Sequence, residues 1–356
     1  MNPYHVLVAM SGGVDSAVCA YLLKQRGYAI EGVTMKLWSE AEALGNEQDP
    51  LPDQNCLDAM AVAAQLGIPH RRVALGETFR NTVVNPFIDE YVKGRTPNPC
   101  VACNRHIKFG ALLELAEENS FDRLATGHYA RLEQTASGSI LLKRAKDLRK
   151  DQSYFLWGIP KEALSKLFLP LGDFTKEEIR ALAAEQNLPC AHRSDSQDIC
   201  FVPDGDYISF IQTQTDLSFP KGPFVATDGT VLGQHEGLIR YTVGQRKGLG
   251  IALGQPMFVC KKSWGDNSVT LCCDRELYTD TLTASNVNFL VDESFSTPQR
   301  IEAKIRYRHA PSVATVTQID QGKLSLVFDE PQRAIAPGQS VVLYDGDTVV
   351  GGGIID

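Results

Sequence analysis

Residues 11–16, with the sequence SGGVDS, are suited to binding a phosphate group. Adjacent glycines let the backbone turn sharply and approach a ligand without β-carbons in the way. Amide groups at the start of a following helix then face one concavity that favours an anion. Asp15 beside a polyphosphate suits a bridging Mg²⁺ ion. The segment matches neither a Walker A loop nor a G-x-G-x-x-G dinucleotide loop. The alternative is a glycine-rich turn that only joins a strand to a helix.

The second group of chemically active residues is a pair of cysteines in TPNPCVACNRHIKF, Cys100 and Cys103. We expect a helix to begin just after Cys103, so that its dipole lowers the pKa of the thiol. Arg105 and Lys108 would add to this effect, which makes Cys103 a candidate nucleophile. A CxxC pair is also typical of a zinc half-site or a redox pair. His106 and Cys200 would be the further zinc ligands in that case.

Cys200 follows a polar, turn-forming run in SDSQDICF. A thiol in such a loop is accessible and could carry a persulfide, although a lone loop cysteine often has no function. Other cysteines lie in apolar or strand-like segments and are interpreted as small core residues. These are Cys19, Cys56, Cys260, Cys272 and Cys273.

Composition limits the class of protein. The chain has 356 residues, 43% hydrophobic and 22% charged, and a net charge of −8, which excludes wholesale disorder and a charge-driven DNA binder. Nine scattered cysteines do not resemble a disulfide framework. The sequence has no secretory leader pattern and no apolar run long enough to cross a bilayer. We therefore expect a cytoplasmic protein that binds neither membrane nor DNA.

Strand and helix patterns alternate in the first part of the chain. Short apolar runs at 5–10, 30–37, 70–75 and 123–126 are separated by helical segments, which predicts βαβ units and a parallel sheet. Asp53 can cap the second helix, and Thr175 with Glu178 has capping-box spacing within a helical region over 160–188. The long polar loop 39–52 is either mobile or functional.

The pattern changes after Asp206. Glycines are dense over 222–254, and strand-like alternation follows, with Asp345-Gly346 as a hairpin turn. The fold class is therefore α/β: a parallel-sheet domain over 1–206, a small β-rich central domain over 207–281, and a C-terminal β-barrel over 282–356.

Two basic segments could contact nucleic acid. Residues 143–150 contain five bases and one acid, and a strand would place Lys304, Arg306 and Arg308 on one face. A solvated surface is the ordinary explanation for such runs. Their location on different domains favours an extended anionic ligand.

The SGGVDS turn resembles the PP-loop of the N-type ATP pyrophosphatases, which have an adenine nucleotide alpha hydrolase-like fold. Together with VTMKLW, GRTPNPCVACNRHIKF, ATGHYAR, KDQSYFL, SDSQDICF and YTVGQRKGLG, the whole chain resembles the tRNA-specific 2-thiouridylase family. The resemblance implies a sulfurtransferase that uses ATP to adenylate the C2 carbonyl of uridine 34. Sulfur from a cysteine persulfide then gives 2-thiouridine, AMP and pyrophosphate.

The same resemblance implies a role for individual residues. Cys103 would be the nucleophile and Cys200 the persulfide carrier. The ATP site would consist of Ala9, Met10, Ser11, Gly12, Gly13, Val14, Asp15, Ser16, Met35 and Gly127. The target base would meet Asn98, Pro99 and Cys100, and tRNA would contact Lys150, Asp151, Gln152, Arg306 and Tyr307.

The implied partners are the anticodon stem-loop of tRNA and a sulfur donor, such as a cysteine desulfurase or a sulfur-relay protein. The family often has Asp where this chain has Cys100. An alternative is therefore that Cys100, Cys103 and Cys200 hold a [4Fe-4S] cluster with one open iron site. Other functions that remain open are adenylation of a small molecule, tRNA binding with a degenerate ATP site, and thiolation of another tRNA base.

Overall fold

The computed structural model describes residues 4–37, 53–193, 198–291, 295, 297–320 and 322–356. The loop predicted over 39–52 and the residues 194–197 that precede Cys200 lie outside this range. Within it, no helix has the length and apolar character needed to span a membrane.

The first domain is built on the predicted parallel sheet, in the strand order β3-β2-β1-β4-β7. The apolar run Val6–Val8 in the middle of β1 is fully buried, as expected for a strand covered on both faces. Because β1 pairs with both β2 and β4, the loops after these three strands lie at one edge of the sheet. The strands are β1 His5–Ala9, β2 Ala29–Lys36, β3 His70–Ala74, β4 Arg123–Ala125 and β7 Leu167–Phe168.

Helices cover this sheet and begin where their capping residues predict. Asp53 accepts a hydrogen bond from the amide of Cys56, and Thr175 forms a complete capping box with Glu178. The helical region predicted over 160–188 is wrong in its first part, where a 3₁₀ turn and β7 precede the helix. The helices are α1 Val14–Gln25, α2 Gln54–Leu66, α3 Gly76–Phe79, α4 Asn85–Val92, α5 Pro99–Cys103, α6 Leu112–Glu118, α7 Lys176–Glu185 and α8 Tyr207–Gln214.

The cysteine helix starts earlier than predicted. Pro99 occupies the first turn of α5 and Asn98 caps it, so both cysteines lie inside the helix. A π-helical segment, Asn104–Ala111, joins α5 to α6. The prediction that a helix begins after Cys103 is therefore wrong, because the cap at Asn98 and the proline after it start the helix at Pro99.

The remaining chain is β-rich, as predicted. A central four-stranded sheet has the order β10-β11-β8-β9, and β12 to β17 close into a six-stranded barrel through pairing of β12 with β17. The hairpin of β5 and β6, from the first domain, extends the barrel sheet through β17. The bounds are β5 Arg131–Gln134, β6 Ile140–Lys143, β8 Gly222–Ala226, β9 Val231–His235, β10 Phe258–Ser263, β11 Ser268–Cys272, β12 Tyr278–Phe289, β13 Gln299–Lys304, β14 Ser312–Asp320, β15 Lys323–Arg333, β16 Ser340–Asp345 and β17 Thr348–Ile355.

Two predictions about the barrel have different outcomes. The predicted hairpin joins β16 to β17, but its two turn residues are Gly346, at φ 57°, and Asp347, because Asp345 still pairs with Thr348. The strand predicted through Arg308 is wrong, since β13 ends at Lys304 and a turn follows. Lys304, Arg306 and Arg308 therefore do not form one strand face.

Candidate active site

The SGGVDS turn lies between β1 and α1, and hydrogen bonds of its two serines stabilise it. The amide of Ser11 donates to the hydroxyl of Ser16 (3.1 Å), which donates to the carbonyl of Gly13 (3.0 Å). Gly12 has φ 74°, and a β-carbon there would lie 2.3 Å from the carbonyl oxygen of Asn55. Only glycine can occupy this position without displacing α2. The arrangement is the predicted strand–turn–helix with amides at a helix start.

Asp15 has partners that the sequence analysis did not foresee. Its carboxylate accepts the hydroxyl of Tyr129 at 2.8 Å and the ammonium group of Lys176 at 2.8 and 2.9 Å. Lys176 is the first residue of α7, and its side chain is 8% exposed. A lysine directly after a capping threonine was the only local signal for it. The turn therefore carries a nearly buried positive charge as well as a carboxylate.

The other predicted nucleotide residues lie at the same edge of the sheet. Met35 is near the end of β2, and the hydroxyl of its neighbour Thr34 donates to the carbonyl of Met10 (2.8 Å). Gly127 follows β4, where a β-carbon would lie 2.8 Å from the backbone carbon of Asp15. The structure thus brings the turn, Met35 and Gly127 together, while their contacts with ATP stay a prediction.

His128 is half-buried beside this edge, between two partners. Its Nδ1 lies 2.7 Å from the hydroxyl of Thr126, and its Nε2 lies 3.2 Å from the Nζ of Lys108. Since an ammonium group can only donate, Nε2 accepts and Nδ1 carries the proton. Burial, followed by the charge of Lys108, lowers the pKa of His128 well below its ordinary value, so the ring is neutral.

The predicted thiols converge, although they are distant in sequence. Cys103 is buried in an apolar cluster that also contains Phe201, the residue after Cys200. The ring of Phe201 packs edge-on against Phe79 and Phe87, with centroids 5.5 and 5.3 Å away. Cys200 itself is exposed. Cys103 and Cys200 are close enough that the charge of one thiol changes the pKa of the other.

The electrostatics of these thiols differ from the prediction. Cys100 and Cys200 are exposed residues and Cys103 is buried, but desolvation by surrounding protein atoms is the largest influence on all three thiols. It raises the pKa of Cys100 and Cys103, and that of Cys200 to about 11. Lys108 acts in the opposite direction on each. The expected fall in the pKa of Cys103 is therefore wrong, because desolvation outweighs the positive charge of Lys108.

The residues predicted to meet the target base form the start of α5. The side-chain oxygen of Asn98 accepts the amide of Cys100 at 3.2 Å, and Pro99 is buried. Over the described ranges, no three His, Cys, Asp or Glu residues are grouped so that they could hold a metal ion. Neither the zinc interpretation nor the iron–sulfur alternative thus has a ligand set in that part of the chain.

Two of the predicted tRNA-contacting residues in the KDQSYFL motif form hydrogen bonds within the protein. Asp151 is buried and accepts the amide of Ala145 (3.0 Å) and the hydroxyl of Ser153 (2.8 Å). Gln152 accepts the amide of Tyr129 at 2.9 Å, and Lys150 is half-buried. The roles of these residues toward tRNA stay predictions. In the structure, Asp151 and Gln152 form hydrogen bonds within the protein.

The basic run 143–150 carries more acidic partners than its sequence suggests. Four of its bases form ion pairs, and two of the partner acids belong to the barrel rather than to the run. The pairs are Lys143 with Glu133 and Asp347, Arg144 with Glu302, Lys146 with Glu178, and Arg149 with Asp147 and Glu177. The run is therefore not an unopposed positive patch.

Arg306 and Tyr307 lie in the turn after β13. The guanidinium of Arg306 donates to the carbonyls of Val243 (3.1 Å) and Ala334, so it links the YTVGQRKGLG segment to the barrel. The ring of Tyr307 lies 4.5 Å from that of Phe155. Arg306 is thus an interdomain contact, whatever its role toward RNA.

Comparison with known proteins agrees with this architecture. Three family models match successive parts of the chain. They are the "tRNA methyl transferase HUP domain" at residues 4–204, the "tRNA methyl transferase PRC-barrel domain" at 209–273 and the "Aminomethyltransferase beta-barrel domain" at 279–355. The parallel sheet and its glycine turn therefore define a HUP-domain protein with two appended β-domains.

Full-length relatives identify the family more narrowly. The chain is 46% identical to the tRNA-specific 2-thiouridylase MnmA of Acetivibrio thermocellus over 100% of both chains. It is 46% identical to the MnmA of Treponema denticola, over 99% of this chain and 97% of that one. The chain belongs to the tRNA-specific 2-thiouridylase family.

Proposed function

We propose that this protein is a tRNA sulfurtransferase that converts the wobble uridine of tRNA, U34, to 2-thiouridine with consumption of ATP. The observation that carries the proposal is the convergence of Cys103 and Cys200 beside the edge of the sheet that bears the SGGVDS turn. Neither thiol is needed for simple adenylation of a small molecule, and a tRNA-binding protein needs no intact glycine turn.

The first step would use the glycine turn. The O2 atom of uridine attacks the α-phosphorus of ATP, the bond to the β-phosphate breaks, and pyrophosphate leaves. Amides of the turn and the ammonium group of Lys176 stabilise negative charge that develops on the phosphates. Mg²⁺ would enter with ATP, and Asp15 is the carboxylate of the turn that could contact it. That carboxylate already bonds to Lys176, so the two cations would share it.

The second step would use the thiols. A persulfide on Cys200 brings sulfur to C2 as a bound group, which replaces an encounter between two free molecules. The terminal sulfur bonds to C2 and AMP leaves. Cys103 then attacks the sulfur of Cys200, which breaks the S–S bond and leaves a Cys103–Cys200 disulfide. Alternatively, Cys103 first releases the terminal sulfur as sulfide, which attacks C2. A dithiol reductant restores both thiols.

The partners follow from this chemistry. A wobble base lies in a single-stranded anticodon loop and can be splayed into a pocket. A cysteine desulfurase or a sulfur-relay protein would load Cys200, which is exposed and therefore accessible to a donor. Transfer between reduced thiols is consistent with the cytoplasm, where we place the protein.

The decisive assay combines unmodified tRNA, Mg·ATP and a sulfur donor, with digestion to nucleosides and detection of 2-thiouridine. Cys103→Ser and Cys200→Ser should each abolish the product, because each removes one sulfur atom from the transfer sequence. Cys260→Ser, a half-buried thiol of the central sheet, is the matched control and should retain it. Product formed at near wild-type rate by either active-site variant would refute the assigned role.

A further inference from the structure

Lys108 connects the cysteine helix to the nucleotide edge of the sheet. It lies on the π-helical segment that follows α5, five residues after Cys103, and its side chain is half-buried. Its Nζ reaches across to His128, 3.2 Å from the Nε2 atom. His128 directly follows Gly127, which packs against the backbone of Asp15. The side chain of Lys108 therefore connects the cysteine helix with the edge of the sheet that bears the glycine turn.

The position of the Lys108 ammonium group is fixed by a neutral acceptor. Thr126 holds the Nδ1 side of the ring at 2.7 Å, so the lone pair of Nε2 points at Lys108. The ring is half-buried and uncharged, and therefore it orients the ammonium group without neutralising it. A carboxylate in the same place would have cancelled the charge.

The charge held in this way acts on the sulfur atoms. Lys108 is the positive group that favours the thiolate of Cys100, Cys103 and Cys200 alike. Among the main influences on these thiols, the other titratable groups are neighbouring thiols: Cys100 raises the pKa of Cys103, and both raise the pKa of Cys200. Desolvated anionic sulfur is costly unless a cation faces it.

We propose that Lys108 is a positioning residue of sulfur transfer, held by His128 so that a single cation faces the thiols of both Cys103 and Cys200. The inference rests on the function proposed for these two cysteines. Its electrostatic part concerns only the thiols, and it can be tested without tRNA. The contrasting explanation is an ordinary lysine–histidine hydrogen bond that only stabilises the fold.

The test measures the rate at which iodoacetamide alkylates Cys103 and Cys200 between pH 7.5 and 10, with each cysteine followed by peptide mass spectrometry. In Lys108→Met, the thiol pKa should rise by about one unit, the smaller end of the effect of one nearby charge. The alkylation rate at both sites should therefore fall about tenfold at pH values below the thiol pKa. Lys108→Arg should remain close to wild type. Above pH 7.5 His128 stays neutral even without Lys108, so it does not compensate.

Two further variants separate charge from folding. Lys108→Gln can still donate a hydrogen bond to His128 but lacks the charge, so the thiol pKa should rise as much as in Lys108→Met. His128→Gln leaves the charge of Lys108 in place and still offers it a hydrogen-bond acceptor. The thiol pKa should therefore rise less than in Lys108→Met. Lys93→Met, an exposed lysine of the neighbouring helical region, is the control and should show no rise.

Activity provides the second readout. In the thiolation assay, Lys108→Gln should be about tenfold slower at pH 7.5, consistent with one unit in thiol pKa. The ratio to wild type should persist toward pH 9, because burial keeps the pKa of both thiols above their ordinary value. Unchanged alkylation profiles in folded Lys108→Gln and Lys108→Met would overturn the inference. A wild-type protein that makes no 2-thiouridine would instead overturn the proposed function, while the alkylation result would stand.

Discussion

The pair formed by Asp15 and Lys176 should be energetically coupled. The two residues are 161 positions apart and join the first turns of α1 and α7 through two contacts of 2.8 and 2.9 Å. We consider Lys176→Met, Asp15→Asn and the double variant. Lys176→Met leaves the carboxylate with the Tyr129 hydroxyl as its remaining described partner, whereas Asp15→Asn retains a side-chain oxygen for the lysine.

The exposure of the two side chains sets the magnitude. Lys176 is 8% exposed and Asp15 is 34% exposed. Breaking a buried pair costs about 3–5 kcal/mol, and an exposed pair contributes less than about 1 kcal/mol. For this intermediate case we expect Lys176→Met to cost about 2 kcal/mol and Asp15→Asn about 1 kcal/mol. The double variant should cost less than their sum, with a coupling energy of about 1 kcal/mol.

Native-state hydrogen exchange is the suitable assay, because a chain with three domains does not unfold in one step. The free energy of opening is read from protected amides in α1 and α7. Glu177→Gln is the control: this residue follows Lys176, but its ion pair with Arg149 is exposed, so solvent screens it and its loss should change the free energy of opening little. Additive single and double effects would refute the coupling.

The other predictions concern the nucleotide edge and His128. Gly127→Ala places a β-carbon 2.8 Å from the backbone of Asp15, so it should displace the glycine turn and lower the rate of ATP-dependent pyrophosphate release at least tenfold; an unchanged rate would show that the turn has room to move. The pKa of His128 lies well below 6.5, so the unfolded chain binds more protons than the folded chain below that pH. Stability should therefore be fully retained above about pH 6.5 and decrease as the pH falls below it, and His128→Gln should reduce this decrease in the first thermal transition. An equally steep decrease in the variant would contradict the assignment.

Local sequence signals predicted the parts of the fold that depend on neighbours in the chain. A glycine turn between a strand and a helix, the caps at Asp53 and Thr175, and the hairpin turn after Asp345 each depend on a few adjacent residues. The thiol pKa was mispredicted for the opposite reason. Cys103 was evaluated from its helix and flanking bases, whereas its burial depends on a cluster that includes Phe79 and Phe201.

Long-range partners also explain why the basic run was misjudged. Arg144 and Lys143 pair with Glu302 and Asp347, which lie more than 150 residues away on the barrel. That contact exists because the β5–β6 hairpin joins the barrel sheet through Thr348 and Lys143. No pattern within the run could have revealed these acids. For the same reason, charge counted along a segment does not locate an RNA surface.

The strand order explains how separate motifs become one site. Because β1 lies between β2 and β4, the glycine turn must share an edge with Met35 on one side and Gly127 on the other. His128, next to Gly127, then reaches Lys108 and thereby brings the cysteine helix to that edge. Each motif is short and is specified by adjacent residues, but the strand order of the sheet determines which motifs lie next to one another in space. Substitutions at Gly127 or His128 should therefore affect both halves of the reaction, whereas substitutions at Cys103 should affect only sulfur transfer.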